Sequence, residues 1–182
     1  LERPAQSGQA EPRIWEKFID VEEGPDGSLQ EIHFKNADRF NFAFDVVDGL
    51  ARRKGDKLAM LHVDRHREER YFTFADMSRY SSRAANYFQS LGIRVLLILK
   101  RHYQFWFAIL GLHKLGAVAL LASNQMMEHD LSYRYEAAGI SAVVCTSNGQ
   151  VSYEAERAAE KFPGMVKIMV DGCREGWRDF DS

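Results

Sequence analysis

Cysteine is scarce in this chain, with only Cys145 and Cys173 among 182 residues. A framework of disulfides is therefore excluded. Cys145 follows the apolar run Ala142-Val143-Val144 and reads as a small buried hydrophobe. An excess of one charge is missing too. There are 24 Lys and Arg against 26 Asp and Glu, a formal net charge of −2, which offers no basic field for a nucleic-acid backbone. Long apolar runs are also lacking. No stretch reaches the roughly 18 uncharged apolar residues of a membrane span, and the most apolar piece, Phe105 to Leu112, is cut off by His113 and Lys114. The opening Leu1-Glu2-Arg3-Pro4 carries no apolar core of an export signal. With so little cysteine, the expected location is the reducing cytoplasm.

Closely spaced glycines are absent where a phosphate would need them. Amides converge on an anion only in a glycine-rich turn between strand and helix. After the apolar run ending at Leu99 comes Lys100-Arg101-His102, which reads first as a solvated helix entrance. Neither a Rossmann spacing nor a P-loop occurs, and no Gly-x-Ser-x-Gly elbow presents a nucleophile. His62 and His66 are four apart, but they straddle a strand end and a turn rather than sharing a helix face, so no metal site is expected. His113 is expected to meet the carbonyls at the end of its helix. His33, His102 and His129 stand alone.

What is present is a globular pattern, 46% hydrophobic and 27% charged, enough for one compact domain with a tail. Residues 1–40 read as an irregular arm punctuated by Gly24, Pro25, Asp26 and Gly27, with a turn or two of helix at Ile14 to Ile19. A helix is predicted from Asn41 to Lys54, closed by Gly55. Lys57–Val63 and Glu69–Phe74 form a predicted hairpin. Thr73-Phe74-Ala75-Asp76 has the spacing of a capping box. Behind it Met77, Tyr80, Ala84, Phe88 and Leu91 make one apolar helix face.

Four unbroken apolar runs follow: Val95–Leu99, Ala117–Leu121, Ala142–Cys145 and Val166–Val170. Predicted helices lie between them at His102–Leu115, Asp130–Ala138 and Tyr153–Phe162. The first helix is expected to be buried nearly all round, with Phe105, Trp106 and Phe107 in the core. Strands without alternation, separated by helices, indicate a parallel sheet covered on both faces. The fold class is α/β, a doubly wound, largely parallel sheet with an N-terminal hairpin and arm. One join is unusually tight, because Gly92-Ile93 ends a helix and Arg94 begins a strand.

Several of these segments resemble the acyl-CoA synthetases of the adenylate-forming superfamily. Tyr71-Phe72-Thr73-Phe74-Ala75-Asp76-Met77 is similar to the family's early aromatic–Thr–aromatic motif, and Ser82-Arg83-Ala84-Ala85-Asn86 to the helix behind it. Leu112-His113-Lys114-Leu115-Gly116-Ala117 and Asp130-Leu131-x-Tyr133-Arg134 resemble the two steps that follow. Phe40-Asn41-Phe42-Ala43-x-Asp45-Val46, Gln125-Met126 and Gly176-Trp177-x-x-Phe180 point to the medium-chain branch. Departures exist: Lys100 and Leu121 stand where many relatives have proline, and the usual Gly-Asp loop before Val95 is missing.

The resemblance implies that residues 1–40 are an arm and 41–182 the first, incomplete α/β portion of an AMP-binding domain. It implies a parent enzyme that uses ATP, CoA and Mg2+ to turn a carboxylic acid into its CoA thioester through an acyl-adenylate. The family's Ser/Thr/Gly-rich phosphate loop, its later acid and arginine, and its C-terminal lysine do not occur here. No catalytic or metal-binding residue is therefore expected in this chain, no cofactor is expected to bind it, and the chain alone is expected to be inactive. Gln125, in the polar loop Ser123-Asn124-Gln125-Met126, is the one residue the resemblance sets toward CoA. An adenylation domain that loads a carrier protein, a luciferase-like relative and a non-catalytic α/β module are the alternatives. Apolar surface left uncovered is expected to drive self-association of the chain or to need a partner.

Overall fold

The computed structural model describes residues 14–91 and 94–182. The chain forms two compact units, Leu1–Phe40 and Asn41–Ser182.

In the first unit, a 3₁₀ turn at Ile14–Lys17 leads into β1 (Ile19–Glu23) and β2 (Leu29–Phe34), paired antiparallel. The expectation of an irregular arm is corrected here. The signal lay in Asp26-Gly27, the pair that suits a tight hairpin connection. Gly27 takes φ +77°, and the Asp26 carboxylate accepts hydrogen bonds from the Ser28 amide at 3.1 Å and its hydroxyl at 2.6 Å. On one hairpin face Glu22 stands directly opposite Glu31. His33, two residues along the same face, lies 3.0 Å from Glu22 and 3.7 Å from Glu31.

The second unit opens with a capped helix. Asn41 Oδ1 accepts from the amides of Ala43 (3.0 Å) and Phe44 (3.3 Å), and Asp45 accepts from the Asn41 amide at 2.7 Å. Phe42–Asp48 then winds as a π-helix and continues as α1 (Gly49–Lys54), where the sequence predicts one regular helix. Gly55 follows but stays right-handed, with φ −55°. Its need for glycine is steric, since a Cβ would lie 2.8 Å from the Ala51 carbonyl oxygen.

The antiparallel hairpin β3 (Leu58–Val63) and β4 (Glu69–Thr73) leads into α2 (Phe74–Gln89). The capping box at its start is formed. Thr73 Oγ1 accepts from the Asp76 amide at 3.2 Å, and Asp76 accepts from the Thr73 amide at 3.0 Å. That backbone bond holds the Asp76 carboxyl below the usual carboxylate range. Two otherwise orphaned donors are satisfied, which stabilises the helix by about 1 kcal/mol.

Five parallel strands follow: β5 (Arg94–Ile98), β6 (Val118–Leu121), β7 (Ala142–Thr146), β8 (Val166–Val170) and the two-residue β9 (Arg178–Asp179). Their order across the sheet is β6-β5-β7-β8-β9. Between them lie α3 (Gln104–Leu115), α4 (Glu128–Ala138) and α5 (Val151–Ala159). The unbroken apolar runs now have a cause. Leu96, Ile98, Val143 and Cys145 pack under α4 and α5 through Leu131, Tyr135, Ala155 and Ala158. Val95, Leu97, Val144 and Ile168 face the other way, against Ala84 and Phe88 of α2 and Ala108 and Leu112 of α3. Both faces of the strand are buried, so no alternation is left to see. The predicted doubly wound α/β sheet is present, with β9 added.

Two expectations need correction. The helix α3 is not buried all round, because Trp106 is 50% exposed while Phe107 is buried. The strand β6 lies at the sheet edge, so Val118 (51%) and Leu121 (58%) remain open. Part of the tight join, Gly92 and Ile93, lies outside the described residues. Among the described residues no helix is long and apolar enough to cross a membrane.

Candidate functional site

The switch point lies between the adjacent strands β5 and β7, since the chain leaves β5 for β6 on one side and leaves β7 for β8 on the other. In open α/β sheets, ligands bind beyond the carboxyl ends of the strands at such a point. Here those ends carry Lys100-Arg101-His102 after β5, the Gln125 loop after β6, Thr146-Ser147-Asn148 from β7 and Asp171 after β8.

The basic cluster separates into two parts. Lys100 and Arg101 are exposed and line a groove of about 540 Å³ with Leu61, Trp106 and Leu121. His102 turns inward, with Nε2 2.7 Å from Oγ1 of the fully buried Thr146. Thr146 Oγ1 also accepts the Asn148 amide at 3.1 Å, which leaves its own proton for a neutral imidazole. Asn148 donates in turn to Asp171 at 3.1 Å, and Asp171 adopts the left-handed region at φ +61°. The result is a polar clasp joining the ends of β5, β7 and β8. Burial is the main cause that lowers the His102 pKa from 6.5, opposed by the Asp171 charge.

This gives a pH prediction with a definite sign. The unfolded chain binds a proton at His102 near pH 6.5 while the folded chain resists it, so stability falls as pH drops below that value. The slope from one such group cannot exceed about 1.4 kcal/mol per pH unit. The stabilisation from Asp76 is lost in a separate window, below its ordinary 3.8. Urea midpoints from pH 7 to 5 are expected to fall more steeply for the unaltered chain than for His102→Asn. Parallel curves would contradict the assignment.

The remaining sequence candidates do not converge. His62 Nε2 lies 2.9 Å from the Arg101 carbonyl oxygen, while His66 in the exposed turn receives Arg65 Nε at 3.0 Å. The pair therefore serves two separate local contacts. His113 Nδ1 is buried without a hydrogen-bond partner among the described residues, which corrects the expected carbonyl contact. Cys145 is buried and its thiol is pushed up to about 12 by that burial, so it offers no thiolate. Among the described residues, the group that could hold a metal is the exposed Glu22, Glu31 and His33 of the first hairpin, which sequence spacing did not reveal. Gln125 is exposed, and its backbone N–H donates to Ser123 Oγ at 3.2 Å.

The motifs that carry the resemblance prove to be fastenings. Asn41 Nδ2 donates to the His113 carbonyl at 2.7 Å, tying the first helix to the end of α3. Glu156 on α5 accepts from Trp177 Nε1 at 3.1 Å and pairs with Lys167 and Arg174, each at 3.2 Å. Phe180 packs against the Phe88 cluster. Sequence reasoning did not find the Glu156 network, because its partners lie 11 to 21 residues further along the chain, on β8 and in the loop after it.

The sequence model of the AMP-binding enzyme family matches residues 47–179. The chain belongs to that family. The chain is 30% identical over 166 residues to the mitochondrial acyl-coenzyme A synthetase ACSM2A of Homo sapiens, an alignment covering 84% of the chain and 28% of the relative. Its fold is similar to a benzoate CoA ligase from Burkholderia xenovorans, with TM-score 0.64 and 22% identity over 78% of this chain and 27% of that one. It is also similar to a luciferase-like enzyme from the mealworm Zophobas morio, with TM-score 0.66 and 13% identity over 89% and 36% of the two chains. The chain thus spans little more than a quarter of the human relative's length.

Proposed function

We propose that this chain is the opening α/β portion of an ATP-dependent acid–CoA ligase. In the longer protein a carboxylate attacks the α-phosphate of ATP, giving acyl-adenylate and diphosphate. The CoA thiol then displaces AMP to give the thioester. The observation that carries this reading is the 30% identity to a protein named acyl-coenzyme A synthetase across 84% of the chain. Fold likeness does not choose among the family's reactions, since a CoA ligase and a luciferase-like enzyme are matched about equally well.

The residues present do not fit a seat for magnesium triphosphate. Phosphoryl chemistry needs amides, a cation and a metal converging on the developing charge. At the end of β5 there is no glycine-rich cradle, and Lys100 and Arg101 point into an open groove. Among the described residues no acid lines that groove, and Asp171 at the end of β8 is engaged by Asn148. Nucleotide chemistry is therefore assigned to residues outside this chain, and the α/β unit is the scaffold that holds them.

Gln125 is proposed as the CoA-side contact, from an exposed loop at a strand end. In the longer protein, Gln125→Ala is expected to raise the apparent KM for CoA severalfold and leave that for ATP unchanged, as loss of a single polar contact would. Steady-state kinetics with CoA and ATP varied separately test this. Equal KM values for CoA in the two proteins would reduce the loop to a connection. A longer protein that forms adenylate and diphosphate but never the CoA thioester would support a carrier-loading enzyme instead.

A further inference from the structure

A second cleft, of about 670 Å³, lies over α2 and α3 and is bounded by β4 and the segment from Arg178 onward. Tyr80, Arg83, Ala84 and Tyr87 line it from α2, with the i, i+3, i+4, i+7 spacing of one helix face. Its floor is aromatic. Tyr80 stacks on Phe107 at 4.8 Å, and Phe72 packs on Tyr103 at 5.1 Å. The sequence places Tyr80 and Ala84 on the apolar helix face and assigns this wall no ligand.

The charges around the cleft are unevenly satisfied. Asp181 accepts from Gln104 Nε2 at 2.8 Å, and Asp179 accepts from the Asp181 amide at 3.0 Å. Arg70 donates to the Tyr103 hydroxyl at 3.4 Å and lies over its ring. Arg83 and Arg178 line the cleft with no hydrogen bond or ion pair among the described residues. Both acids accept from uncharged donors and keep their charge, so three arginines face two carboxylates around the cleft, and two of the guanidinium forks are free beside an aromatic floor. Tyr103, with its oxygen accepting from Arg70, keeps its own proton available to an incoming oxygen.

We propose that this cleft binds a small organic anion with a flat apolar body, its carboxylate or phosphate held by Arg83 and Arg178 and its body lying on the aromatic floor. The volume falls within the range of small-molecule sites. A guanidinium matches the oxygens of either headgroup bidentately. The site does not rest on the acid–CoA ligase reading, and the Gln125 loop is not among its lining residues.

Calorimetric titration of the purified chain with 1-naphthyl phosphate, 1-naphthoate, 1-naphthol and inorganic phosphate tests the proposal. The two aromatic anions are expected to bind one per chain, at least about tenfold tighter than naphthol or inorganic phosphate, because only they combine ring and charge. Whichever anion binds tighter names the headgroup. Arg83→Gln and Arg178→Gln are each expected to weaken binding about fivefold or more, with Arg83→Lys between Gln and Arg. Both side chains are exposed and unpaired, so the variants are expected to keep the unaltered circular-dichroism spectrum. Gln125→Ala should bind as the unaltered chain does. No saturable binding of either anion, naphthol binding as tightly as naphthoate, or undiminished binding by both arginine variants would overturn the site.

Discussion

Asp48→Ala is expected to destabilise the chain by about 3–5 kcal/mol, the cost of leaving a buried charge without its partner. Asp48 Oδ1 lies 2.9 Å from Lys114 Nζ, and the Lys114 side chain is only 4% exposed. The same ammonium donates to the Ser78 carbonyl at 3.2 Å and Ser82 Oγ at 2.9 Å, with the Phe44 ring 5.6 Å away. One cation therefore fastens the first helix and α2 to the end of α3. Without the carboxylate it keeps two neutral acceptors and no counter-charge, in a place water does not reach. Removing both partners should hurt far less, because an apolar chain has no desolvation to offset. Asp48→Ala with Lys114→Met is expected to recover more than half the loss. Urea unfolding at unchanged m-value measures all three proteins. A single variant costing under about 1 kcal/mol would place the pair among the screened surface bridges instead.

A second large effect is expected at Gly111, in the middle of α3. A Cβ there would lie 2.9 Å from the Ala85 amide nitrogen and 3.0 Å from both the Ala84 Cβ and the Ser81 carbonyl oxygen. Two of these are backbone atoms of α2, so no side chain can swing aside. Two terms oppose each other in Gly111→Ala. Helix propensity favours alanine by about 1 kcal/mol, while overpacking a close helix crossing costs about 1–3 kcal/mol. The clash is expected to win, because the same face of α2 that meets Gly111 is also packed against the sheet through Ala84 and Phe88. Gly111→Val adds branching at the same contact and should cost about 3 kcal/mol or more. Thermal unfolding of the two variants checks the order. A stabilised Gly111→Ala would show that the helices can part.

Both residues bear on what the sequence reveals. The sheet was legible because Val95–Leu99 and its companions are apolar without alternation, a pattern that only a strand buried on both faces sustains. The capping box at Thr73 and Asp76 was legible because its two hydrogen bonds are local. Gly116 and Gly139 end their helices in the left-handed region, as glycine after an apolar helix predicts. The Asp48–Lys114 pair was not legible, because its partners are 66 residues apart and each looks like an ordinary surface charge. The role of Gly111 was not legible either, because its contacts come from α2, at least 26 residues earlier in the chain. The first hairpin was missed although Asp26-Gly27 marks its turn, because its strands are short and rich in charge.

The candidate site was legible only in part. The positions of Lys100, His102 and Gln125 at strand ends follow from the sheet pattern alone. That His102 would turn inward to Thr146 does not, since the clasp joins residues 44 apart. The segments resembling acyl-CoA synthetases are identifiable because they hold caps and helix crossings in place. The arginine-lined cleft draws on four separate segments, and no local pattern announces it.

In the proposed function this α/β unit is scaffold for chemistry carried by other residues. ATP–pyrophosphate exchange tests it most directly, with the purified and folded chain supplied with MgATP and a panel of straight-chain and aromatic carboxylic acids. The expected rate is that of the no-enzyme control for every acid, because no amide cradle or positioned carboxylate meets the triphosphate. Exchange above that control with any of the acids would contradict the account and place the activating groups within these 182 residues.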